Sequence, residues 1–170
     1  YVSALMFVFR HFAGRLAGKL SNPGLLWISS LLAAIGLFLL SRAQSPVAAL
    51  VASTVWGLGV CAMWPTMLAS VAERYPRGGA WALGLVGSAG ALASFFVLPA
   101  LGGMFDEAKV RLAGGPEAFK QLTGEALRQV EDAAASQSFA KLALVPIVLL
   151  FVFGAIWLSE RRRRATVAAA

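Results

Sequence analysis

Apolar positions in this chain neither alternate nor keep to one helical face; they form runs divided by short charged or Pro/Gly punctuation. A helix crossing about 30 Å of hydrocarbon needs about 20 predominantly apolar residues. The first run, over 1–13, is too short for that before Arg10. It reads as the end of a helix that begins upstream, so the chain is expected to be part of a longer protein. It has no charged segment followed by a small-residue cleavage site and is not a signal peptide. A loop over 14–23 leads to a second span, 24–41, introduced by Ser21-Asn22-Pro23, a capping residue followed by Pro near the first helical position. Ser45-Pro46 repeats that pattern before a third span, 46–72, which is long enough to tilt and carries an internal Pro65 that predicts a kink. A short loop, 73–79, ends on Gly78-Gly79 before a fourth span, 80–104. The stretch 105–138 is polar. Within it Phe119, Leu122, Leu127 and Val130 recur at helical spacing between Lys120, Glu125, Arg128 and Glu131, predicting an amphipathic helix over about 116–134. That helix is expected to lie on the membrane surface or against a loop, or else to act as a lid or docking element. A fifth span, 139–159, and a tail, 160–170, complete an all-α, polytopic transmembrane helical bundle.

Composition agrees. The chain is 59% hydrophobic and 14% charged, where a soluble domain is about half apolar and about a quarter charged. This excludes a disordered tail, a solvated binding module and most small cytosolic enzymes. The one cysteine, Cys61, sits in an apolar run, so neither a disulfide nor a Cys-based metal site is expected. The net charge of +7 would suggest nucleic acid in a soluble chain. Here it is a topology signal. Arg10, Arg15, Lys19, Arg74, Arg77 and Arg161–Arg164 fall on one side of the alternating spans. The short loop opposite holds only Arg42, and the long one balances its bases with acids. By the positive-inside rule, the loops 14–23 and 73–79 and the C-terminus are cytoplasmic and 105–138 is external. The expected location is the plasma (bacterial inner) membrane, multi-pass, with lipid as a partner and no nucleic acid.

The spans differ in texture. The fourth is rich in small residues (Gly84, Gly87, Ser88, Gly90, Ala91, Ser94), which let helices approach closely in lipid. The fifth, Val145–Phe153, is almost uniformly bulky and reads as lipid-facing. In the third, Ser53, Val60 and Trp64 fall on one stripe at i, i+7 and i+11, flanked by Trp56 and Gly57. Tryptophans away from the membrane interfaces offer apolar faces and an indole N–H to a mixed-polarity solute, or serve as large packing residues. No ionisable side chain lies inside a complete span, so no proton relay is visible. Gly84-x-x-Gly87-x-x-Gly90 follows no strand and is no dinucleotide loop. Ser88 has no base near it, since the single histidine, His11, is at a helix end. No enzymatic activity and no cofactor are expected.

The stretch Arg10-His11-Phe12-Ala13-Gly14-Arg15-Leu16-Ala17-Gly18-Lys19-Leu20-Ser21 resembles the degenerate second copy of the G-x-L-a-D-R-x-G-R signature of the major facilitator superfamily, between helices 8 and 9 of that fold. Gly14, Leu16, Ala17 and Lys19 match; Gly18 and Ser21 depart from it. Trp64-Pro65 followed by Glu73-Arg74-Tyr75-Pro76-Arg77-Gly78-Gly79 resembles the family's helix 10 to 11 junction. Pro99-Ala100-Leu101-Gly102-Gly103 is similar to the end of its glycine-rich motif, although Leu98 replaces a glycine. The resemblance implies an incomplete C-terminal six-helix half, from truncated helix 8 through helix 12, with the missing N-terminal half as partner. It further implies that the third span lines a central cavity, the fourth meets the other half, and the second and fifth face lipid. The expected function is secondary active or facilitative transport of a small organic solute, sugar or organic anion, by alternating access. A multidrug/proton antiporter or a non-transporting receptor or scaffold on the same fold are the alternatives. Trp64, Trp56 and Ser53 are the expected substrate contacts. Arg10, Gly14, Arg15, Lys19, Glu73, Arg74 and Arg77 are the expected cytoplasmic gate.

Overall fold

Ser45-Pro46 begins a helix as its sequence suggests: the Ser45 hydroxyl accepts a hydrogen bond from the Ala48 N–H at 3.2 Å, and Pro46 occupies the first turn. Pro23 and Pro116 likewise stand in the first turns of two other helices, though without a side-chain cap bond, and the structure is helical, with no strand among the described residues. These are 21–168 together with Ala4, Phe7 and Val8, with side chains through Arg162, in a computed structural model. Arg10, His11, Gly14, Arg15 and Lys19 lie outside them.

Among the described residues seven helices follow in order from Asn22: α1 (Asn22–Arg42), α2 (Pro46–Cys61), α3 (Met63–Arg74), α4 (Gly79–Leu112), α5 (Pro116–Gln121), α6 (Gly124–Leu142) and α7 (Leu144–Ala168). Among the described residues four stretches are long and apolar enough to cross a membrane: α1, α2 with α3, α4, and α6 running into α7. The division between α2 and α3 has a local cause. Pro65 cannot donate to the carbonyl of Cys61 and its ring crowds that turn, so the helix breaks at Ala62 and resumes, with Thr66 N–H bonding the Ala62 carbonyl at 3.1 Å. Tyr75-Pro76 ends α3, since a residue before proline is driven out of the helical region. Gly79, at φ +48, makes the corner into α4.

The polar stretch differs from the expected single helix over about 116–134. It contains two, α5 and α6, parted by extended Leu122 and Thr123 and by Gly124 at φ +60. Moreover, α4 runs on to Leu112, beyond the expected end of its span, and α6 folds back along it, with the Arg111 guanidinium donating to Gln137 Oε1 at 2.7 Å.

α1 is the hub. It packs on α2 most extensively, then on α7, and its ends meet α3 and α6. Its buried face is Gly24, Leu25, Leu26, Ser29, Ser30, Ala33, Ala34, Gly36 and Leu37. Its other face leaves Ile35, Phe38 and Leu39 exposed, and the close packing of the first has its cause in residue size. A Cβ on Gly36 would lie 2.4 Å from the Trp56 backbone nitrogen, and one on Gly59 would lie 2.5 Å from that of Ala33. Only glycine on each side permits backbones this close. Gly57-Leu58-Gly59, flexible in composition, is thus an ordinary stretch of helix held against α1. On the other flank, Trp27 of α1 stacks on Trp157 of α7 with ring centroids 5.8 Å apart. Each ring also covers the opposite helix's glycine, Trp27 over Gly154 and Trp157 over Gly24.

α4 stands apart. None of its most apolar stretch is buried within the chain, and Gly84, Gly87 and Gly102 have nothing within 4 Å of where a Cβ would sit. At 100° per residue these three share one face of the helix.

Candidate functional site

The residues singled out in the third span do not share one environment. The break at Ala62 interrupts the helix on which the Ser53–Val60–Trp64 stripe depends. Ser53, half-buried on α2, donates its hydroxyl to the Leu50 carbonyl of its own helix at 3.0 Å. Trp56 lies where α2 meets Gly36 of α1, and its backbone and Cβ form that contact. Trp64, beyond the break, is 42% exposed and turns its six-membered ring onto Gly90 of α4. Trp56 is therefore placed at the α1–α2 contact and Trp64 at the α3–α4 contact. An indole seated on a glycine and still partly open can offer both its face and its N–H to a solute.

The charged residues assemble more completely. At the end of the bundle where α1 begins and α3 and α7 close, Asn22 Nδ2 donates to Glu73 Oε2 at 2.7 Å, joining α1 to α3. The Arg74 guanidinium meets Glu160 Oε1 at 2.7 Å, joining α3 to α7. Arg161 lies over the Trp157 ring, 4.5 Å from its centroid, at the head of the Trp27–Trp157 stack. Arg74 is largely open to solvent at 58% exposed and Glu160 a quarter exposed, so the pair is worth only about 0–1 kcal/mol. Such bonds hold three helix ends in register and exchange easily. Arg77 has no ion-pair partner among the described residues. Sequence reasoning passed over Asn22 and Glu160. Asn22 served only as part of a helix start, but Glu160, the sole acid beside four arginines, marked where a pair could form.

Two cavities lie at opposite ends. One, of about 760 Å3, opens between α3 and α4 at this basic end and is lined by Val71, Arg74, Arg77, Trp81, Leu85 and their neighbours. The other, of about 570 Å3, lies at the far end between the α1–α2 turn and α6. Arg42, Gln44 and Asp132 contribute its polar wall and Phe139 an apolar one. Ser136 bridges the two sides, its hydroxyl donating to the Ser41 carbonyl. Ser53, Trp56 and Trp64 line neither cavity. The described residues contain no cluster of His, Cys, Asp or Glu that could hold a metal ion.

Comparison of the sequence with known protein families, with curated proteins and with solved structures gives no match. The functional reading therefore rests on the residues themselves.

Proposed function

We propose that the chain is the C-terminal part of a transporter of the major facilitator type, moving a small organic solute by alternating access. The observation that carries this reading is the bare face of α4. A span-length helix with Gly84, Gly87 and Gly102 open along one side needs a covering surface, because small residues drive helix association in lipid. The motifs in the chain suggest a second bundle of the same kind as that cover. The glycine-tight contact of α1 with α2 and the reciprocal Trp/Gly contact of α1 with α7 favour movement of this bundle as one body. Rigid-body rocking is how two such halves expose a midplane site to each side in turn.

On this reading Glu73, Arg74 and Arg77, with Asn22 and Glu160, belong to the inner gate, and Trp64 is the first substrate contact, ahead of Trp56 and Ser53. The test is solute uptake by the full-length parent in proteoliposomes, first as a screen across sugars and organic anions. Trp64→Ala should then raise KM several-fold at normal expression. Unchanged kinetics would return Trp64 to packing, and absence of flux for every solute would remove the transporter reading.

A further inference from the structure

We infer that the groove between α3 and α4 at the basic end is a binding site for an anionic phospholipid. The inference rests on the chain spanning a membrane, not on transport.

Three features of the groove specify such a ligand. Its floor is apolar, formed by Val71, Ala82 and Val86 with the half-exposed Leu85 at its edge, and its volume of about 760 Å3 exceeds what a small ion fills. Its mouth carries Arg74, Arg77, Tyr75 and Trp81, with Tyr75 60% and Trp81 75% exposed. Tyrosine and tryptophan gather at headgroup depth, where an amphipathic ring bridges hydrocarbon and water. An apolar trough that ends in guanidinium groups beside such rings is complementary to one molecule with an acyl tail and a phosphate.

Charge supports the same ligand over a zwitterionic lipid. The bases and acids of the α1–α2 turn and of the stretch from Asp106 to Lys141 are equal in number: Arg42, Lys109, Arg111, Lys120, Arg128 and Lys141 against Asp106, Glu107, Glu117, Glu125, Glu131 and Asp132. Among the described residues at the other end, Arg74, Arg77, Arg161 and Arg162 stand against only Glu73 and Glu160, so the basic excess lies there. There, Glu160 is occupied by Arg74, and Arg77 faces the groove without an ion-pair partner among the described residues. A guanidinium in that position takes a phosphate through two parallel N–H donors.

The site is compatible with a second half-bundle on α4. By helical spacing, Ala82 and Val86 lie on the side of α4 opposite Gly84 and Gly102, with Leu85 beside them and Trp81 at the border between the two faces. One face is left for protein and the other for lipid.

The test is native mass spectrometry of the full chain released from bilayers of equal phosphatidylglycerol and phosphatidylcholine, with carbonate extraction of the same membranes as control. The wild type should retain phosphatidylglycerol selectively. Arg77→Gln should lower that retention about five-fold, the effect of one basic residue near an anionic surface. Leu85→Trp, which fills the floor without touching a charge, should lower it as well, while Arg42→Gln at the far end should leave it unchanged. Equal retention of both lipids, insensitivity to Arg77→Gln, or displacement of the lipid by millimolar inorganic phosphate would overturn the site while leaving the membrane reading intact. Release of the chain by carbonate would overturn both.

Discussion

Asn22, a neutral side chain, is the partner that Glu73 finds. The carboxylate is therefore used first as an acceptor and only second as a charge. Glu73→Gln keeps an acceptor in place and should leave thermal stability in detergent nearly unchanged, whereas Glu73→Ala should lower it, by about 0.5–1.5 kcal/mol for one hydrogen bond. Equal effects of the two would show that charge matters more. The glycines make a sharper contrast. A methyl group at Gly36 meets backbone at 2.4 Å, whereas one at Gly154 meets the edge of Trp27 at 3.1 Å, and a side chain can shift where a backbone cannot. Gly36→Ala should destabilise by about 1–3 kcal/mol, the range for overpacking, and Gly154→Ala by distinctly less. The melting temperatures of the two variants in one detergent decide it. Little of this was readable from the chain. Gly24-x-x-Trp27 and Gly154-x-x-Trp157 share a spacing, but only antiparallel helices convert that coincidence into a reciprocal contact.

Among the elements, the break between α2 and α3 belongs to Pro65 and the bond between α3 and α7 to Arg74. Pro65→Ala restores the missing donor, and the helix should close through Ala62. Spin labels at residues 50 and 72 would then report a single narrow distance set by a continuous helix. Arg74→Gln and Glu160→Gln, singly and together, should reveal a coupling of about 0.2–1 kcal/mol, as for other exposed ion pairs. The four long apolar helices were legible, because a run of about 20 apolar residues has few other uses, and so was the helix break, because proline states it directly. The packing faces were not. In α1 the buried positions include Ser29, Ser30 and Gly36, while Ile35, Phe38 and Leu39 are exposed. In lipid, large apolar side chains gain nothing by facing inward, and small ones mark the contacts. The candidate site was half legible for a related reason. The charges at helix ends stood out in the sequence, but the stripe through Ser53 and Trp64 presumed a continuous helix across the break at Ala62.

Across the whole molecule, the distribution of charge predicts the orientation, and Cys61 makes it simple to test, being the only cysteine to replace. In a Cys61→Ala background, Arg77→Cys should react with an impermeant maleimide only after the cytoplasmic face is opened, and Glu117→Cys in intact cells; the reverse pattern would invert the topology. The same asymmetry exists in shape. α4 has 34 residues and at 1.5 Å each is about 51 Å long, well beyond the roughly 30 Å that a bilayer's hydrocarbon core measures. Its outer turns are tied to α6 by the Arg111–Gln137 bond, and α6 continues into α7 after a single break at Ala143. Two long apolar helices therefore share one turret at the end away from Arg74 and Glu160, and the turret acts as a pointer. A tilt of a few degrees at the base of these helices becomes a displacement of a few ångströms at its tip, so a fluorophore there would report reorientation of the bundle while touching none of the residues proposed as gate or substrate contacts.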